Sequence, residues 1–443
     1  MQRLTRQLLA ALIAGALFAP GAACAHRGSP LAGHWEGSFE REGAVLPVGF
    51  DFTVQGGVVT GRFTSPEQAA MEYPLDAPVK VEGTRVSFQI GSGSLALEGA
   101  LAGEVLGGSL EEGGAPGKFS VRRGAAPVLP YRRSEVTFAN GDVKLAGSLF
   151  LPGAGAQRPY PAVVLLHGSG PQSRWGRHRY WADQLARAGV ATLIYDKRGS
   201  GDSGGDWRRS SFEALADDAL GAVRLLAARA DIDRTRIGLF GHSQGGVIAP
   251  LAASRGRPGE VAFVVAADTI AGPIYEQDLY RHERALPTEL TPAERKQSLA
   301  LFRLFVDVAR GIKPYDELER ASAPVRQTRW YQDLELPPRD HWLWGFYRAT
   351  GNLDTLPIWS QVKVPVLLVY GQRDQLVPVD EGIHRIEGAL AQAGNHRYES
   401  VVIPRAAHDL TVRPDPGQPF DWWRQAPGLS ALVTAWVKRQ GGR

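Results

Sequence analysis

The chain has 443 residues, of which 44% are hydrophobic and 22% charged, close to the average of soluble globular proteins. Its 52 glycines and 30 prolines are too few for a collagen-like or low-complexity chain, and a single cysteine excludes a disulfide scaffold or a cysteine-built zinc site. The formal net charge of +4, dispersed along the chain, argues against nucleic acid as the main partner.

Residues 1–25 read as an export signal. Arg3 and Arg6 give a positive start, and Leu8 to Phe18 is an apolar run too short to span a bilayer. Ala23-Cys24-Ala25 fits the small-residue cleavage pattern, with cutting before His26. The alternative is lipid attachment at Cys24, but Gly21 stands where a lipoprotein signal usually has Leu. No later stretch is long and apolar enough for a transmembrane span, so the expected location is periplasmic or secreted.

Residues 26–124 predict an all-β domain. Phe50-Phe52-Val54, Val86-Phe88-Ile90 and Leu95-Leu97 alternate with period two, and the pairs Gly56-Gly57, Gly107-Gly108 and Gly113-Gly114 supply turns. The regular spacing suggests a small barrel or sandwich. Gly33-His34-Trp35 resembles the Gly-x-Trp opening of lipocalin-like barrels. Arg122 to Arg133 is rich in Pro, Gly and Arg, and residues 125–133 read as a linker.

From 134 to 443 strand-like runs alternate with helical periods. Pro161–His167, Val190–Tyr195, Arg236–Phe240, Val261–Ala267, Val364–Tyr370 and Tyr398–Ile403 predict strands. Continuous apolar runs such as Val163-Val164-Leu165-Leu166 suit a parallel sheet covered on both faces. Residues 273–358 interrupt the rhythm. Thr291-Pro292-Ala293-Glu294 begins a helix there, and Leu299, Phe302, Phe305, Val306 and Val308 recur at near-helical spacing. The expectation is a helical lid over one end of the sheet. Its rings (Trp330, Tyr331, Trp342, Trp344, Phe346, Tyr347, Trp359) either line a pocket for an apolar group or pack the helices.

Gly241-His242-Ser243-Gln244-Gly245 matches Gly-x-Ser-x-Gly between a strand and a small-residue helix, the setting of a nucleophile elbow. Ser243 is the expected nucleophile, and it needs a base. His408 follows the strand ending at Ile403 and stands on a loop. His396 precedes that strand, His384 lies in a helical period, and His341 and His282 fall in the lid. His408 is therefore the expected base. Asp374 sits just past the strand ending at Tyr370, where its carboxylate can fix the imidazole tautomer; Asp380 is the runner-up. The backbone N–H groups of Gln244 and of Ser169, in His167-Gly168-Ser169-Gly170-Pro171, are the expected oxyanion donors.

From about Glu135 to its end the chain resembles the α/β-hydrolase superfamily, and within it bacterial serine esterases and the dienelactone-hydrolase or serine-aminopeptidase-like group. Leu145 to Leu149, His167 to Pro171, Asp196 to Ser203, Gly241 to Gly246 and Gly371 to Pro378 carry the resemblance, in the expected order. It implies a mostly parallel sheet with a helical lid, here preceded by the all-β module. It also implies that Asp196-Lys197-Arg198 is a structural loop with buried polar contacts. Gln244 stands where many relatives have Glu. The expected function is exported hydrolysis of small-molecule acyl esters through an acyl-enzyme, without metal or cofactor. The same triad also suits an aminopeptidase, a thioesterase or an acyltransferase. The reading from a different class is a binding protein whose hydrolase domain is vestigial.

Overall fold

A computed structural model describes residues 29–334 and 336–440. The expected leader, including Cys24, lies outside the described residues. The chain opens with nine antiparallel strands: β1 (Gly33–Arg41), β2 (Ala44–Gln55), β3 (Val58–Ser65), β4 (Ala70–Pro74), β5 (Lys80–Glu82), β6 (Arg85–Ile90), β7 (Leu95–Ala102), β8 (Val105–Glu112) and β9 (Ala115–Gly124). They form one sheet in the order β4-β3-β2-β1-β9-β8-β7-β6-β5. It is a single curled sheet, not a sandwich of two. Residues between β4 and β5 stitch its edges together: Leu75 and Val79 donate N–H bonds to the Gly61 and Val59 carbonyls, and Asp76 to that of Gln89. Period-two alternation puts Trp35, Phe39, Phe50, Phe52, Phe63, Phe88 and Phe119 on the concave face, where they are all buried. Neighbouring rings sit 5.2–6.3 Å apart.

The interior of this sheet is completed from the other end of the chain. Trp422 is 3% exposed, lies 6.1 Å from Phe39 and donates its indole N–H to the Ala44 carbonyl. Phe420 stacks beside it, and Arg424 binds Glu67 and the Val45 carbonyl. The segment before the last helix has no period of its own, so sequence patterning held no sign of this plug.

The second sheet has the order β10-β11-β13-β12-β14-β15-β16-β17. Its strands are β10 (Tyr131–Asn140), β11 (Val143–Pro152), β12 (Tyr160–Leu166), β13 (Ala191–Tyr195), β14 (Ile232–His242), β15 (Val264–Ala267), β16 (Val366–Gly371) and β17 (Tyr398–Ile403). β10, β11 and β13 pair antiparallel, and the pairings from β13 through β12 to β17 are parallel. β10 starts three residues before the expected boundary at 134, because Tyr131 is buried and its hydroxyl binds Asp183. Helices cover both faces. α2 (Phe212–Ala227), α3 (Gln244–Arg255) and α10 (Val379–Gln392) pack on one; α1 (Arg177–Arg187) and α11 (Leu429–Gln440) on the other.

Between β15 and β16 lie six helical pieces: α4 (Ile274–Ala285), α5 (Pro292–Ala309), α6 (Tyr315–Ser322), α7 (Arg329–Gln332), α8 (Leu343–Thr350) and α9 (Leu356–Trp359). α5 begins as its sequence predicts. Thr291 caps the Glu294 N–H, Glu294 caps Thr291 in return, and Pro292 occupies the first turn. The aromatic residues of this segment pack helices. Trp330, Trp344 and Tyr347 join Phe302 and Phe305 in one cluster, while Trp359 is fully buried in the main core.

Candidate active site

The elbow follows from two glycines and one strained residue. Ser243 has φ 56° and ψ −120°, in the left-handed half of backbone space, and caps α3. A Cβ on Gly241 would meet the Gly245 carbonyl oxygen at 1.9 Å, and one on Gly245 would meet the Leu166 carbonyl oxygen at 2.5 Å. Only glycine lets β14 turn so sharply into α3 beside β12. The Ser243 N–H donates to the Ala267 carbonyl at 2.8 Å, which pins the turn to the end of β15.

β16 and β17 bring the other two candidates to the same edge. His408 Nδ1 lies 2.7 Å from Asp374 Oδ2. Since that N–H donates to the carboxylate, the Nε2 lone pair is left free to act as a base. Asp374 is 4% exposed, and its Oδ1 accepts the backbone N–H groups of Leu376 and Val377. His242, next to Ser243, donates Nε2–H to the His408 carbonyl at 2.7 Å, with the two rings 5.1 Å apart. Burial and the neighbouring His408 push His242 down to about 3, so it stays neutral. The Ser243 hydroxyl and the His408 ring make no hydrogen bond among the described residues. Such contacts commonly tighten only when substrate is bound. The other histidines lie elsewhere: His384 and His396 are exposed, and His282 stacks on Phe302.

The His167–Pro171 loop abuts Ser243, since a Cβ on Gly168 would sit 3.7 Å from the Ser243 Cβ. Neither the Ser169 nor the Gln244 N–H has a hydrogen-bond partner among the described residues. Residues 157–415, more than half of the chain, match the family model described as serine aminopeptidase, S33. The chain belongs to this family. Esterase EstD of Thermotoga maritima is 27% identical over 244 residues, covering 53% of this chain and 50% of that protein. The chain thus spans about half the length of this curated relative. Among solved structures, the Pyrococcus furiosus esterase Pf2001 is similar (23% identity, 71% of this chain and 95% of that one, TM-score 0.44). So is the dienelactone hydrolase of Anabaena variabilis (22% identity, 70% and 98%, TM-score 0.41). The S33 membership agrees with the α/β-hydrolase motifs.

Sequence reasoning missed a second carboxyl in this S33 site. Asp268 follows β15 directly, at the same sheet edge, and is fully buried with φ 45°. Its Oδ1 accepts the Gly371 N–H at 2.8 Å, and its Oδ2 finds no donor among the described residues. Burial, then the charge of Asp374, push its carboxyl well above the usual carboxylate range. Its place at the end of an apolar strand was the available sequence signal. Ligand atoms of Asp268, Asp374 and His408 lie within 4.8 Å of one another. The Gly371, Leu376 and Val377 N–H groups and His408 Nδ1 engage Asp268 Oδ1 and both Asp374 oxygens, which leaves Asp268 Oδ2 as the one carboxylate oxygen of the cluster without a donor among the described residues.

The Asp196–Ser203 loop is a buried polar network, as its motif implied. Asp196 accepts from Arg174 Nη1 at 2.7 Å and from the Arg174 and Asp202 N–H groups. Arg198 forms a paired fork with Asp218.

A cavity of about 520 Å³ opens beside these residues. Gly168, Gln172, Trp175, Arg177, His242 and Leu410 line it from the hydrolase sheet, and Tyr73 to Asp76 wall it from the β module. Ion pairs set that wall. Glu72 binds Arg179 at 2.6 Å and Arg133 at 2.7 Å, and Arg62 stacks 3.9 Å over the Trp175 ring.

Proposed function

We propose that this chain is an exported serine hydrolase that cleaves carboxylic esters through an acyl-enzyme. The observation that supports it most is the convergence of a strained Gly-Ser-Gly elbow with a His408–Asp374 hydrogen bond of 2.7 Å at one sheet edge. Ser243 Oγ attacks the ester carbonyl while His408 Nε2 takes its proton. Asp374 fixes the His408 tautomer and stabilises the imidazolium. The N–H groups of Ser169 and Gln244 receive the oxyanion. The alcohol leaves with the proton from His408. A water, deprotonated by His408, then attacks the acyl-enzyme and releases the acid. Every step is served by side chains and backbone of this chain. The leader at residues 1–25 is the reason to place the protein in the periplasm or outside the cell.

The cavity between the module and the sheet accommodates the organic group of the ester. Trp175, Trp181, Phe240 and Leu410 make its walls largely apolar. The helical segment between β15 and β16 is assigned as the lid. Grip on a substrate ammonium is the requirement of an aminopeptidase; of the carboxylates at the lid start, Glu276, Asp278 and Glu283, the first two are already engaged and Glu283 is exposed. Glu276 is paired with Arg385 at 3.1 Å, and Asp278 is buried against Tyr347 and Arg281.

The test is a panel of p-nitrophenyl esters against aminoacyl-p-nitroanilides, with Ser243→Ala as the control and a fluorophosphonate probe on the folded chain. Ester turnover and probe labelling are expected, and both vanish in Ser243→Ala. Strong anilide turnover with little esterase activity assigns a peptidase instead. A wild-type chain that neither labels nor turns over favours a binding protein.

A further inference from the structure

Lys197 is a buried cation that the reaction above does not use. It lies just past β13 in the loop that the sequence marks as structural, and it is 3% exposed. Its Nζ lies 2.8 Å from the Gly168 carbonyl oxygen, 3.1 Å from that of Gly170 and 2.6 Å from Gln244 Oε1. Resting on the hydrolase reading, we propose that Lys197 is a positioning residue that ties both oxyanion donors into one unit.

The argument is geometric. The Gly168 carbonyl and the Ser169 N–H belong to one trans peptide plane and point in opposite directions. An ammonium holding that carbonyl therefore turns the N–H the other way. The bond to Gly170 fixes the far side of the same turn. The bond to Gln244 Oε1 restrains the residue whose N–H is the second donor. All three neighbours are acceptors, and an ammonium has three N–H groups and no lone pair. A neutral amine would aim its lone pair at an oxygen. The site is thus built for the charged form. That charge, 3% exposed, also lies beside the place where the oxyanion develops.

No carboxylate touches this ammonium among the described residues. The carboxylate of Asp196, next in sequence, is taken by Arg174 and the Asp202 N–H. Asp218 is paired with Arg198. His167 at the end of β12 and His178 on α1 face Lys197, and burial holds both neutral. The Trp207 ring is 5.6 Å from Nζ. Burial alone pushes Lys197 down to about 7. The charged form then exists at neutral pH and is lost above it. Gln244 is the sensitive partner, because a carboxylate in its place would hold the proton on Lys197 to higher pH.

The experiment uses the purified full chain and p-nitrophenyl butyrate. Lys197→Met is expected to lower kcat by about 10²-fold, the scale of losing one oxyanion donor, with KM changed less than about threefold. Gln244→Glu, which keeps the backbone donor, is expected to move the alkaline limb of kcat upward by about 1–3 pH units. Folding of each variant is checked by circular dichroism and melting. A folded Lys197→Met with kcat within threefold of wild type overturns the proposal. So does an alkaline limb that Gln244→Glu leaves in place, and that limb alone decides if Lys197→Met does not fold. A purely structural lysine would not move it. Wild type that neither hydrolyses esters nor takes the fluorophosphonate probe removes the hydrolase reading itself. An active wild type with unaffected variants removes only the role of Lys197.

Discussion

Replacing Asp268 by asparagine tests which of the two buried carboxyls carries the charge. Asp374 accepts three donors, from Leu376, Val377 and His408, whereas Asp268 accepts one. Burial and the neighbouring Asp374 charge push Asp268 up, so Asp268 is the member that holds a proton. With the charged atoms no more than 4.8 Å apart, a second negative charge would cost about 3.5 kcal/mol at an effective dielectric of ~20. The sign for stability follows. The folded pKa of Asp268 lies above its unfolded value of about 4, so across that interval the folded chain keeps a proton that the unfolded chain releases. This contribution to stability is complete below the unfolded pKa and is lost as pH rises. The amide introduced by Asp268→Asn is neutral throughout and still offers an oxygen to Gly371. This variant should therefore melt ~2–5 °C above wild type at pH 8, with the gap closing towards pH 4. Its kcat/KM for p-nitrophenyl esters at pH 7 should stay within about threefold, while Asp374→Asn should lose about 10³–10⁴-fold. Calorimetry over pH and a pH–rate profile read both effects. A variant that melts below wild type at pH 8, or that is as inactive as Asp374→Asn, would make Asp268 the ionised acid and refute this assignment.

Trp422→Ala should lower stability by about 3–5 kcal/mol in urea unfolding, because the indole is buried against Phe39 and donates to Ala44. A loss under ~1 kcal/mol would show that the plug adds little. Gly241→Ala should abolish fluorophosphonate labelling, since its methyl would overlap the Gly245 carbonyl; labelling at the wild-type rate would contradict the tight turn. Tyr73→Ala should raise KM for bulky esters several-fold and spare acetate esters, because Tyr73 walls the cavity from the module side; an unchanged ester profile would place the substrate elsewhere. His242 and His178, pushed by burial to about 3 and about 4, stay neutral in the folded chain. Below pH ~6.5 the unfolded chain takes up protons that the folded chain refuses, so stability should fall on acidification, by up to ~1.4 kcal/mol per pH unit for each histidine. Urea midpoints from pH 7 to 5 in the Asp268→Asn background measure this slope, and His178→Gln should flatten it. A flat slope in that background would overturn the burial argument.

The central hydrolase strands and the candidate site residues were legible because each rests on a local signal, whereas the order of strands in the sheet was not. Apolar runs such as Val163–Leu166 mark buried strands, and Gly241 to Gly245 marks the elbow. His408 and Asp374 were found by chain order and by their places after strands, which is topology read one element at a time. What escaped was relational. Asp268 is one aspartate among many until β16 brings Asp374 beside it. Lys197 looks like part of a structural loop until its three acceptors are seen together. The aromatic rings of 330–359 advertised a pocket and a packing cluster equally well, and the cluster prevailed because helical spacing turns most of them towards one another. Trp422 had no periodic context, so its destination, 378 residues from Ala44, was beyond any local pattern.

That distant contact has a consequence for how the molecule is assembled. The nine-stranded unit leaves the ribosome some three hundred residues ahead of the segment around Trp422 that finishes its interior. Until then the half-built cup exposes phenylalanine rings. Trimming some twenty-five residues from the far terminus should therefore damage the opening of the chain, and a dissected amino-terminal fragment should aggregate rather than behave as a freestanding unit.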